Sequence, residues 1–214
     1  MKTYKKTLAV AVMSGALMTG CVTTDGDRTR MEGAGFGAII GAVVGGIAGG
    51  EEGAILGALV GGGAGFLVGN EIAKRKQQYA TTEQYLDSQI ATIGELNSAT
   101  ASYNQTLRND IAQLDRETEH LRNQYNAGRI EQSALASKRT DLQQRLAQSR
   151  DIEQGLVNEL KVQERILSEE RPARPANDPY IARLENEVKV LQQNLNQLQD
   201  GTSQLASIDQ RLSV

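Results

Sequence analysis

Residues 36–70 are apolar apart from one interruption, Glu51-Glu52, whereas from Tyr79 onward apolar residues recur every three or four positions among polar ones. In the second region Tyr79, Leu86, Ile93, Thr100, Leu107, Leu114 and Leu121 keep an interval of seven. Ile90, Asn97, Asn104, Ile111, Thr118 and Tyr125 supply a partner seam three residues before them. Two seam positions per heptad predict a coiled-coil helix. Asn97 and Asn104 in that seam cost stability but select one register. Residues 125–130, with Gly128 among them, break the pattern with side chains that tolerate a left-handed cap. A second helix follows, in which Leu135, Leu142, Leu146, Leu156, Leu160 and Leu167 renew the seam to about residue 170, diluted by Arg139, Ser149, Glu153 and Gln163. So short a turn favours an antiparallel helical hairpin over residues 71–170, with one continuous kinked helix as the alternative.

All three prolines fall within residues 171–179, which predicts a linker over 171–180. Beyond it, in a helix over 181–214, Ile181, Val188 and Leu195 alternate with Leu184, Leu191, Leu198, Leu205 and Leu212. A stripe of five leucines at intervals of seven is rarely left in water. It pairs with a second copy, receives the helix of a partner, or folds back on the hairpin to make a three-helix arrangement.

The apolar region carries a different regularity. Gly33, Gly37, Gly41, Gly45, Gly49, Gly53, Gly57, Gly61, Gly65 and Gly69 stand four residues apart, and the positions between them are mostly Ile, Val, Leu, Phe and Ala. A helix returns to nearly the same face every fourth residue, so the ladder makes a bare ridge on which another helix packs closely. Glycine inside a water-exposed helix costs about 1 kcal/mol relative to alanine, and the arrangement suits lipid, where the backbone must bond internally. A single helix over 36–70 would reach about 50 Å, well past a hydrocarbon core of roughly 30 Å, and would bury two carboxylates. A membrane hairpin with its turn at residues 49–53 removes both difficulties. Its legs, residues 36–49 and 54–68, would face each other through Gly37, Gly41 and Gly45 and through Gly57, Gly61 and Gly65. Lys74, Arg75 and Lys76 follow, either as a collar for phosphate head groups or as a charged helix start.

At the N-terminus Lys2, Lys5 and Lys6 precede an apolar run that ends in small residues before the only cysteine, Cys21. Residues 1–20 therefore form a secretory signal peptide, and residues 21–35 a linker to the zipper. The Leu17-Met18-Thr19-Gly20-Cys21 ending resembles the lipobox of bacterial lipoproteins, which implies that Cys21 is the lipid attachment point. Met18 departs from the Leu most common there. By the same resemblance Val22, rather than Asp, implies export to the outer membrane. Residues 21 to about 76 resemble the glycine-zipper lipoproteins of Gram-negative envelopes, the SlyB-type and YMGG-type proteins. The resemblance implies a role in outer-membrane integrity and no enzymatic activity, and it stops where the long helical tail begins. The fold class expected is all-α: a membrane zipper hairpin followed by extended coiled-coil helices.

Charge and chemistry narrow the function. Removal of residues 1–20 takes away three lysines and no acid, moving the net charge from −3 to −6, a poor balance for nucleic acid. Aromatic residues make up 4% and tryptophan is absent, which leaves little for a conventional globular core. With one cysteine no intramolecular disulfide is possible, and the single histidine, His120, beside a seam position, has no cysteine partner for a structural metal site. No nucleophile, base and orienter can be assembled, and the glycine-rich segment lacks the Gly-Lys-Ser/Thr ending of a phosphate loop. No catalytic residue, metal or cofactor is expected. Membrane lipid and further copies of the chain are the expected partners, with an envelope protein as a possible third through the coiled coil. The reading is a structural envelope lipoprotein; an adaptor for a secretion, efflux or peptidoglycan-linked machine stands second, and a pore or membrane-perturbing assembly third.

Overall fold

The computed structural model describes residues 55–57, 59 and 68–213. The expected signal peptide, Cys21 and most of the expected zipper hairpin lie outside the described residues. Those described are helical, with no strand among them: α1 (Val68–Lys76), α2 (Thr82–Asn126), α3 (Gln132–Glu170), a 3-10 turn (Arg171–Ala173) and α4 (Pro179–Leu212). A short helical stretch holds residues 55–57 and 59.

Three of the boundaries have a clear local cause. Thr81 caps α2 by accepting a hydrogen bond from the Gln84 N–H at 3.2 Å. At its far end Gly128 takes φ +66°, the Arg129 N–H reaches back to the Gln124 carbonyl and the Gly128 N–H to that of Tyr125, both at 2.9 Å. This is the left-handed cap the sequence predicts, and glycine adopts it without a Cβ penalty. At the start of α4 the Asp178 carboxylate accepts from the N–H groups of Tyr180 and Ile181, and Pro179 takes the first helical position, where a missing N–H costs nothing. The 171–180 linker is thus shorter than expected, because α3 passes into a 3-10 turn and α4 begins at Pro179.

The leucine stripe resolves one of its three expected destinations: α4 folds back on the hairpin. Leu184, Leu191, Leu198 and Leu205 are fully buried and Leu212 is 2% exposed. Polar pairs give the directions. Arg145 with Asp110, Lys138 with Glu117, and Tyr103 with Ser149 run in opposite senses along α2 and α3, so that pair is antiparallel. Asp87 with Arg183, Asn104 with Asn194, and Asp115 with Arg211 advance together, so α2 and α4 are parallel. The expected extended coiled coil is therefore a closed up-down-up three-helix bundle. The driving force is the stripe itself, which finds a buried surface within its own chain.

The seam of α2 fills the bundle as its heptads predict, from Leu86 through Ile93 and Thr100 to Leu107 and Leu114. Asn97 and Asn104 bond across to α4. Asn97 donates to the Glu187 carbonyl at 3.0 Å and carboxylate at 2.8 Å, and Asn104 to the Asn194 carbonyl at 2.9 Å. Asn194 returns a hydrogen bond to the Asn97 carbonyl at 3.1 Å. These bonds tie side chains to fixed backbone positions and so define the parallel register. Gly201 of α4 provides a notch for Leu107, whose Cδ2 lies 2.7 Å from where a Cβ would stand.

Candidate functional site

Where the zipper sequence ends, the chain enters the bundle through α1. Ile72 turns its side chain into the core and is 4% exposed. One turn later Arg75 reaches α3, where Nη1 and Nη2 donate to the two Glu159 oxygens at 2.8 and 2.9 Å, a bidentate pair. The same guanidinium donates from Nε to Glu71 at 3.1 Å and from Nη1 to Gln89 of α2 at 3.0 Å. Gln163 donates to Glu159 at 2.6 Å and to Gln89 at 3.1 Å. Lys76 pairs with Glu170, near the end of α3. One cation thus joins α1, α2 and α3.

Burial sharpens this joint. The Arg75 side chain is 22% exposed and that of Glu159 7%. Burial alone would lower the Arg75 pKa, but the hydrogen bonds and charges of Glu159 and Glu71 outweigh it and hold the guanidinium above its ordinary range. Burial likewise favours a neutral Glu159, and the bonds from Arg75 and Gln163 reverse that, leaving its carboxyl below the usual carboxylate value. The pair is ionised. Tyr85, beside the joint, is 1% exposed, lies 6.0 Å from the Tyr79 ring and has the Lys76 ammonium 5.7 Å above its own ring. Burial pushes its phenol above the ordinary range, and its hydroxyl has no partner among the described residues.

For the basic run at residues 74–76, read either as a head-group collar or as a charged helix segment, the structure shows that Arg75 and Lys76 pair with Glu159 and Glu170 and that Lys74 is exposed. The acids of α3 outcompete solvent because the three-helix arrangement places them beside α1, which the sequence order does not reveal.

A second brace lies in the linker. Arg174 donates to Asp178 at 2.9 Å and to Glu83 of α2 at 2.8 Å, tying the crossover to the first turn of α2. Burial would raise the Asp178 carboxyl, but Arg174 and the capped N–H groups hold it below its usual value.

Of the glycines assigned to membrane packing, Gly37, Gly41, Gly45, Gly49, Gly53, Gly61 and Gly65 lie outside the described residues, as does the lipidation candidate Cys21. Gly57 is buried and helical, whereas Gly69 is exposed with nothing within 4 Å of a Cβ position. The five leucines assigned to partner or self-association are core residues of the chain's own bundle. His120 is exposed and faces Gln124 at 3.0 Å. Glu159, Gln163 and Glu170 escaped the sequence reading as joint residues. Their signal was a set of further apolar positions on α3, Ile152, Val162 and Ile166, with Glu159 set among them.

Residues 1–73 match the YMGG-like Gly-zipper family. The N-terminal third of the chain is therefore similar to a glycine-zipper domain, and the match ends two residues before Arg75. Such a match is consistent with a membrane-associated envelope protein. No curated protein and no solved structure matches the chain. Among the described residues no helix is long and apolar enough to cross a membrane.

Proposed function

We propose that the chain is a structural lipoprotein of the cell envelope. It is anchored through a diacylglyceryl group on Cys21, inserts and oligomerises through its glycine zipper, and carries a helical bundle into the periplasm to support the outer membrane. The observation that carries this reading is the direct succession of the two parts: the zipper match ends at residue 73, and Arg75 is bonded into the bundle core. A joint fixed by a buried bidentate pair transmits the position of one part to the other, which a scaffold needs and a flexible tether does not supply. No catalytic chemistry is assigned, since one histidine and one cysteine supply no nucleophile and base pair.

Carbonate washing of membranes from cells that make the full chain tests the anchor. The protein is expected to stay with the membrane fraction and to migrate as an oligomer in mild detergent. Release into the wash, or a monomer in detergent, contradicts the reading.

A further inference from the structure

The described residues of the second zipper leg touch the bundle. Leu56 is 2% exposed and belongs to the buried core, with Ile55 and Leu59 packed beside it. The Leu59 Cγ lies 2.7 Å, and its Cδ2 3.0 Å, from where a Cβ on Gly155 of α3 would stand. Any side chain at position 155 would occupy the space that Leu59 fills. Glycine in a helix interior is less favourable than alanine, so Gly155 in the middle of α3 has its packing reason in that contact. Glu159, which holds Arg75, lies one helical turn further along, so neighbouring turns of α3 receive both Leu59 and the zipper exit.

Leu56, Gly57 and Leu59 also belong to the leg, residues 54–68, that the membrane hairpin places in lipid. One side chain cannot fill the Gly155 notch and lie in hydrocarbon at once. We infer that the notch at Gly155 is a docking site for the second zipper leg, which the bundle withholds from the bilayer until a membrane competes for it. This rests on the membrane reading of the zipper proposed above. Lipid tails and a protein core are about equally apolar to a leucine. The docked and inserted placements therefore differ by little in transfer free energy, and the arrival of a bilayer can shift the population.

The test uses the full chain carrying Cys21→Ser, made in a cell-free reaction without membranes, with Leu59→Cys and Gly155→Cys introduced singly and together. Oxidation without vesicles is expected to join the two thiols in the double variant. When vesicles of phosphatidylethanolamine and phosphatidylglycerol are added first, the disulfide yield is expected to fall about tenfold, while the thiol of the Leu59→Cys variant becomes protected from a water-soluble maleimide. In the Leu59→Cys background, Gly155→Ile fills the notch and is expected to hasten that protection, with circular dichroism confirming that the bundle remains helical; the disulfide comparison does not depend on this variant. Absence of a disulfide without vesicles overturns the docking. A disulfide yield unchanged by vesicles that do exclude the maleimide overturns the competition while the membrane reading stands. Vesicles that change neither readout overturn both.

Discussion

Arg75 and Glu159 show how a single pair makes a joint. A buried ion pair gains little over a well-packed apolar substitute, but removing one partner strands the other in a poorly solvated place. Glu159→Gln is therefore expected to destabilise the bundle by about 3 kcal/mol, read as a lower urea midpoint at pH 7. Because the Glu159 carboxyl is held below its ordinary value in the folded chain, its stabilisation is complete above the usual carboxylate range. It is lost as pH falls through the lower folded value. The urea midpoint of the native chain should fall more steeply with acidification than that of Glu159→Gln, and parallel profiles would remove Glu159 from this role. Gly128 acts through its backbone alone: with φ +66° and open space around it, Gly128→Ala should cost about 1 kcal/mol from the left-handed conformation. A melting temperature unaltered by that change would contradict the assignment.

At the scale of helices, the heptads of α2 and α4 were legible because each presents one apolar stripe to one region of the bundle. Asn97 and Asn104 of α2 were legible as register devices, though not as bonds to α4 carbonyls, since nothing in a single helix names the opposite helix of the contact. Helix α3 was read only in half. Between Ile152 and Glu170 it is covered by α1 and Leu59 as well as by its bundle neighbours, so buried positions spread over two faces and the simple heptad dissolves. Its acids at 159 and 170 acquire a role only when the cations of α1 are placed beside them. The stripe of α4 gives the sharpest energetic expectation. Leu198→Ala, at a site with no exposed surface, should cost about 3 kcal/mol. A loss below 1 kcal/mol by urea titration would show that α4 contributes little to the fold.

For the bundle as a whole, the decisive fact is that α4 closes on its own hairpin. Periodicity left that choice open, because an intramolecular partner and a second copy present the same seam. Spin labels at positions 87 and 183, whose native side chains lie 3.1 Å apart, distinguish them. The short label-to-label distance should survive dilution with unlabelled protein, whereas exchange of α4 between copies would weaken it in proportion. An odd number of antiparallel passes also puts the beginning of α2 and the end of α4 at opposite poles. A pull on Leu212 against a fixed zipper would run along the helix axes, loading the layers of side chains in shear all at once rather than peeling them apart one after another. The parallel course of α2 and α4, tied together by Asn97, Asn104 and Asn194, thus leaves the bundle braced against tension applied between its two poles.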